Sequence, residues 1–204
     1  MSVLLGAIAA LKRGEIVGFP TETVFGLGVD ADNEQALEQL FELKQRARSK
    51  PITVHLGTAA DPSLWGQWSE EAEKLAAAFW PGPLTLIVPR TARACDLLTA
   101  GGVGIGLRMP DHPTAVRLLN GFGSGVAATS ANTSGERSLT AEEQVRAKFG
   151  AHVPVVLSGR CRLQRDSTVC SLLEGCPTIL RQGAVVSGEI AEVLGFEVKS
   201  LSNQ

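Results

Sequence analysis

Short apolar runs that end in proline or glycine alternate, along this 204-residue chain, with stretches whose apolar residues recur at helical spacing. That alternation restricts the chain to α/β architectures, in which helices cover a sheet. Residues 1–12 read as a core-facing first helix, with Ser2 as N-cap and Gly14 at its stop. Residues 16–20 read as a buried strand closed by Pro20, and residues 20–28 as a dense polar turn. Asn33 caps a helix with Leu37, Leu40 and Phe41 on one face, stopped by Pro51. A strand follows at 52–56, then a helix capped by Ser69 and ended by Pro81-Gly82-Pro83. Further strands are expected at 84–88, 104–108, 126–129, 153–157, 168–173 and 178–181. Between them lie a short helix at 114–120, a helix to Phe149 with a Thr140/Glu143 capping box, and a last helix from Ser187. The late strands are closely spaced, which argues for hairpins and hence a mixed sheet rather than a purely parallel one.

Composition excludes several classes. Apolar residues make up 44% and charged residues 20%, enough to fill a core. The net charge of −2 argues against a nonspecific DNA or RNA coat, although a local basic face remains open. The cysteines at 95, 161, 170 and 176 form no CxxC pair, and His55, His112 and His152 are scattered. Reduced thiols in a cytoplasmic protein are therefore expected, with no metal ligand set and no disulfide framework. The apolar N-terminal run has no basic leader, no cleavage site, and too few residues to cross a bilayer. No membrane segment is expected.

Two polar clusters sit where a core would favour neither charge nor free hydrogen-bonding groups. Lys44-Gln45-Arg46 ends a helix, with Lys44 four residues after Leu40 on the apolar face. Ser130-Ala131-Asn132 follows a small-residue strand. Burial of such groups is costly unless a partner or ligand answers them, and cations with a hydroxyl–amide pair suit a nucleotide. The competing account of Lys44 is a cation snorkelling at a helix C-terminus. Arg108 ends a strand, where a guanidinium clamps a carboxylate or simply meets solvent. Ser167 precedes a strand and Arg181 closes one, so hydroxyls and cations gather at strand ends, the usual ligand edge of α/β sheets. There is no GxxxxGK[ST] loop and no GxSxG elbow, and the Gly101–Gly106 run leads into a strand rather than a helix.

These residues fall into a known order. Phe19-Pro-Thr-Glu-Thr-Val-Phe-Gly-Leu-Gly28 resembles the opening motif of the YrdC-like domain. So do Lys44-x-Arg46 with Pro51 and His55, Trp80-Pro-Gly-Pro-Leu-Thr85, Gly106-x-Arg108-x-Pro110 and Thr129-Ser-Ala-Asn-x-Ser-Gly135. The resemblance spans residues 3–195 and implies one YrdC-like domain over 1–204 with a short tail, in the short bacterial form. It implies an α/β fold: a twisted sheet of mixed parallel and antiparallel strands flanked by helices, with a concave basic face. The implied activity is threonylcarbamoyl-AMP synthesis from L-threonine, bicarbonate or CO2, and ATP. A separate transferase complex then uses the product for threonylcarbamoyladenosine beside the tRNA anticodon.

The resemblance also implies roles. Lys44 and Arg46 hold the ATP phosphates and carry catalysis; Lys50, Ser130, Asn132, Ser138 and Arg181 contact the nucleotide; Thr23, His55, Arg108 and Ser167 bind threonine. Mg2+ accompanies ATP, with no protein metal ligand named. Phe25 stands where the family often has tyrosine, Lys50 where it often has asparagine, and no aspartate follows the Ser167-Thr168-Val169 stretch. Two other readings stay open: a noncatalytic RNA- or ribosome-binding module, and a paralogue with a different acceptor. Aromatic residues are only 5% and tyrosine is absent, which disfavours a base-stacking platform.

Overall fold

A string of paired strands sets the architecture. The structure is a computed structural model and describes residues 2–173 and 175–201; Met1, at the head of the expected first helix, lies outside them. Along the chain run α1 (Val3–Lys12), β1 (Val17–Pro20), β2 (Phe25–Asp30), α2 (Glu34–Leu43), β3 (Thr53–His55) and α3 (Glu70–Phe79). Then follow β4 (Leu84–Pro89), the single turn α4 (Asp96–Thr99), β5 (Gly104–Arg108), α5 (Pro113–Phe122), β6 (Val126–Ser130) and α6 (Glu142–Phe149). The chain continues through β7 (Val155–Val156), β8 (Thr168–Ser171), β9 (Thr178–Arg181), α7 (Ser187–Leu194) and β10 (Lys199–Ser200). One sheet takes them in the order β10-β9-β8-β4-β5-β3-β6-β2-β1-β7. Pairs β1/β7, β3/β5, β4/β8 and β9/β10 are parallel, the others antiparallel, so the sheet is mixed as expected.

Strand alternation sorts side chains to two sides. On one side, Val17, Phe19, Val126 and Ala128 pack with Ala7, Ala10 and Leu11 of α1 and Leu118 of α5. On the other, Phe25, Leu27, Val29 and Ala127 join Leu37, Leu40 and Phe41 of α2 in the larger core. β2 therefore presents its apolar residues to one side and glycines to the other. A Cβ on Gly28 would lie 2.6 Å from Val126 Cγ1 and 2.9 Å from Phe19 Cε1, so only glycine leaves room there for Phe19.

Local signals placed the helix starts. Ser2, Asn33 and Ser69 accept hydrogen bonds from the backbone N–H of Leu5, Ala36 and Ala72, each three residues on. Several expectations need correction. The polar turn covers only Thr21–Val24, because residues 25–30 form β2 and pair with β1 and β6. The Thr140/Glu143 capping box does not form: Ala141 is the N-cap, and Gln144 Oε1 accepts from the N–H of Thr140 and Ala141 at 3.2 Å each. The strands expected at 153–157 and 168–173 are shorter. The sheet continues past residue 195, in the stretch read as a tail, where β10 pairs with β9.

Candidate functional site

The β1–β2 turn, the segment after α2, and the ends of β3, β5, β6, β8 and β9 enclose a cavity of about 630 Å³. That size lies within the range of small-molecule sites. Thr23, Arg46, Lys50, His55, Arg108, Ser130, Ser167 and Arg181 all line it, so eight sequence-expected residues meet in one place. Lys44, Asn132 and Ser138 are not among the lining residues; the first two stand directly behind Ser130.

At one end, α2 delivers Lys44 as its C-cap residue, and the apolar face that buries Leu37, Leu40 and Phe41 buries Lys44 too, to 1% exposure. Its Nζ donates to Ser130 O and to Asn132 Oδ1, the latter at 3.1 Å. Both partners are neutral oxygens. Asn132 Oδ1 also accepts from Ser130 Oγ at 2.7 Å, and its Nδ2 donates to Glu136 O at 2.6 Å. Burial, and then the nearby Arg46 charge, push the Lys44 ammonium down to about 7. Arg46 donates Nε to Lys50 O at 3.3 Å and Nη2 to Pro51 O at 2.7 Å, again to carbonyls. Burial and the Arg181 charge hold Arg46 below the usual arginine range. Lys50 reaches Ser134 Oγ at 3.4 Å.

On the β8–β9 side, Arg181 gives Nε to Ser167 O at 3.1 Å and Nη2 to Ser167 Oγ at 3.0 Å. Ser167 Oγ also lies 2.9 Å from Thr85 Oγ1. Gly183 presses on this segment: a Cβ there would lie 2.3 Å from Ser167 C and Thr168 N, so the close approach requires glycine. Asp166 lines the cavity and accepts from Ser138 Oγ at 3.4 Å, which is how Ser138 joins the site.

The opposite end is built differently. Arg108 is 5% exposed, not a solvent-facing strand end. Its Nη2 donates to Glu22 Oε1 at 2.7 Å and Thr23 Oγ1 at 3.0 Å, and its Nε to Gly82 O at 3.2 Å. Glu22, 1% exposed, takes the backbone N–H of Asp111 on its other oxygen at 3.1 Å. His55, beside Arg108 in the β3/β5 register, is buried with Nδ1 unpartnered among the described residues. Burial, and then the Arg108 charge, push His55 down to about 3, so it is neutral at physiological pH. His55 thus brings a neutral imidazole, with one hydrogen-bonding position unused, to the cavity wall.

Sequence reasoning missed Glu22, Thr85 and Asp166. Glu22 lies between two threonines already noticed, yet nothing local shows that its partner is 86 positions away. Asp166 adjoins the noticed Ser167 and carried no pattern of its own. Among the described residues no three His, Cys, Asp or Glu side chains gather to hold a metal, and Asp166 is the carboxylate on the cavity wall. No helix among them is long and apolar enough to cross a membrane.

Known proteins are similar to this chain in sequence and fold. A family model covering Sua5, YciO and YrdC, described as telomere recombination, matches residues 9–183. A Pyrococcus abyssi protein named threonylcarbamoyl-AMP synthase is 37% identical over 191 residues, 93% of this chain and 56% of its own. A Mycobacterium tuberculosis protein named putative threonylcarbamoyl-AMP synthase is 39% identical over 201 residues, covering 97% and 92% of the two chains. Among solved structures, P. abyssi Sua5 complexed with L-threonine superposes with a TM-score of 0.92 at 35% identity, over 98% of this chain and 58% of that one. The chain thus spans little more than half the length of the Pyrococcus relative it matches. Matched along most of its length by the model and by relatives well above 30% identity, this chain belongs to the Sua5/YciO/YrdC family.

Proposed function

We propose that this chain makes L-threonylcarbamoyl-AMP and pyrophosphate from L-threonine, bicarbonate and ATP, in the cytoplasm, to supply tRNA threonylcarbamoyladenosine synthesis. The observation that carries the reading is the cavity itself. Arg46, Lys50 and Arg181 line it, with Lys44 behind the wall, and their direct partners are neutral oxygens. With Asp166 the one carboxylate on the cavity wall beside these cations, positive charge is left over, and that suits a triphosphate. Relatives named for this activity and a relative's complex with L-threonine support the same conclusion.

In this scheme the threonine amine takes up CO2, released from bicarbonate with water, to form a carbamate. A carbamate oxygen bonds to the α-phosphorus as the bond to the pyrophosphate oxygen breaks. Arg46 meets the phosphates directly. Lys44 places a second positive charge one side chain behind Ser130, preorganised where charge builds on the leaving group. Ser130 and Arg181 face the nucleotide, Asn132 holds Ser130, Ser138 acts through Asp166, and Lys50 extends the phosphate end. Thr23, His55, Arg108 and Ser167 receive threonine, with Arg108 Nη1, which donates to no described residue, aimed at its carboxylate. Mg2+ would enter as part of the ATP substrate and would supply charge shielding of the phosphates; Asp166 is the one carboxylate on the cavity wall. The work is positioning and charge stabilisation, with no covalent enzyme intermediate.

The test is pyrophosphate release by the purified protein with ATP, against a panel of amino acids, with and without bicarbonate. Release that needs both L-threonine and bicarbonate is expected. Release with another amino acid would reassign the acceptor, and no release from folded, ATP-binding protein would refute the synthase.

A further inference from the structure

Glu22 belongs to none of the roles above, yet it is among the most deeply buried charged groups in the chain. A carboxylate at that depth is costly unless each oxygen is answered. Here each is: Oε1 by Arg108 Nη2 at 2.7 Å, Oε2 by the Asp111 N–H at 3.1 Å. Arg108 is tied at the same time by Nε to Gly82 O and by Nη2 to Thr23 Oγ1. The planar guanidinium is thereby fixed on one edge, and its remaining nitrogen, Nη1, donates to no described residue. Arg108 lines the cavity whereas Glu22 does not, so Glu22 acts from behind. Its charge also offsets that of Arg108 before any ligand enters. Beside neutral His55, this end of the cavity carries an ion-paired guanidinium, whereas Lys44 and Arg46 have only neutral direct partners.

We infer that Glu22 is a positioning and specificity-determining residue: it aims Arg108 at the amino-acid carboxylate and keeps the charge balance of this end suited to a zwitterion rather than a free anion. The inference rests on the threonine reading above.

The experiment is calorimetric titration of L-threonine, of 3-hydroxybutyrate (the same carboxylate and hydroxyl without the amine) and of ATP into wild type, Glu22→Gln and Glu22→Asp. Gln keeps the volume but removes the charge and turns a donor toward the Asp111 N–H. Asp keeps the charge, and with it the fold, but is one methylene too short to span both partners. Both variants are expected to bind threonine about tenfold or more weakly, with ATP affinity within about twofold of wild type. In Glu22→Gln the preference for threonine over 3-hydroxybutyrate should shrink as well. A folded Glu22→Asp with wild-type threonine affinity overturns the inference, even where Glu22→Gln does not fold. Equal weakening of threonine and ATP also overturns it, because a merely structural role predicts that pattern. Wild type that binds ATP but no threonine refutes the underlying functional reading, a result distinct from both.

Discussion

The two ends of the cavity solve the problem of buried charge in opposite ways. At the α2 end, Lys44 and Arg46 rest on carbonyl and amide oxygens. At the β5 end, Arg108 rests on a carboxylate as buried as itself. The first arrangement buries cationic groups without a direct carboxylate partner; burial first, and neighbouring arginines second, push Lys44 and Arg46 down, and the arrangement suits a polyanion that favours their charged forms on binding. The second already pairs its cation with a carboxylate, and offers its ligand directional contacts at Arg108 and Thr23 beside neutral His55. On the proposed function, a triphosphate and an amino acid would share a cavity divided by charge rather than by shape.

The largest expected effect falls at the unbalanced end. Lys44→Ala and Arg46→Ala should each lower threonine-dependent pyrophosphate release by about 100- to 1,000-fold, as loss of a preorganised charge does. The fold should survive, since no carboxylate loses a partner. Turnover near the wild-type rate in both variants would erase the distinction between the ends.

At the balanced end the same kind of change acts on stability. Arg108→Met strands the Glu22 carboxylate in the interior, at a cost of about 3–5 kcal/mol in denaturant unfolding. The double variant Arg108→Met/Glu22→Gln should recover most of that loss, because neither charge remains; simple additivity of the two substitutions would deny the pairing. An exposed counterpart sharpens the contrast. Arg48 and Glu38 form a bidentate pair at 2.7 and 3.0 Å on the surface, and Glu38→Ala should leave the unfolding midpoint unchanged.

A subtler effect concerns protons. Lys44 is pushed from 10.5 down to about 7, while the unfolded chain holds its proton to the ordinary value. Folding therefore releases a proton between those values, and stability rises with pH across that window by up to about 1.4 kcal/mol per unit. Phosphate binding favours the charged ammonium, so ATP binding at pH 8 should take up a proton, read by calorimetry in buffers of different ionisation enthalpy. Lys44→Met should abolish the uptake and flatten the slope; unchanged uptake would place the proton elsewhere.

What the sequence made legible were features whose causes are local. The caps at Ser2, Asn33 and Ser69 are recognised by the chain three residues downstream. Lys44 stood out because it shares a helix face with Leu37 and Leu40, and that face is buried. β2 was hidden because glycines at 26 and 28 occupy one side of it, so an alternating strand looked like a turn. The reason for Gly28 lies in Phe19 and Val126, which become neighbours only when β1 and β6 pair on either side. The Glu22–Arg108 pair was hidden for the same reason across a larger separation: the opening motif and β5 meet only in the folded cavity. Membership in a motif pointed to Arg108, but not to the carboxylate that neutralises it.

The division of the cavity is tested most directly by titrating ATP and L-threonine separately into Arg46→Ala and Arg108→Lys. Crossed losses are predicted: Arg46→Ala loses ATP affinity about tenfold or more and keeps threonine, while Arg108→Lys loses threonine affinity and keeps ATP. Parallel losses of both ligands in both variants would contradict the division and reduce the cavity to one undifferentiated cationic pocket.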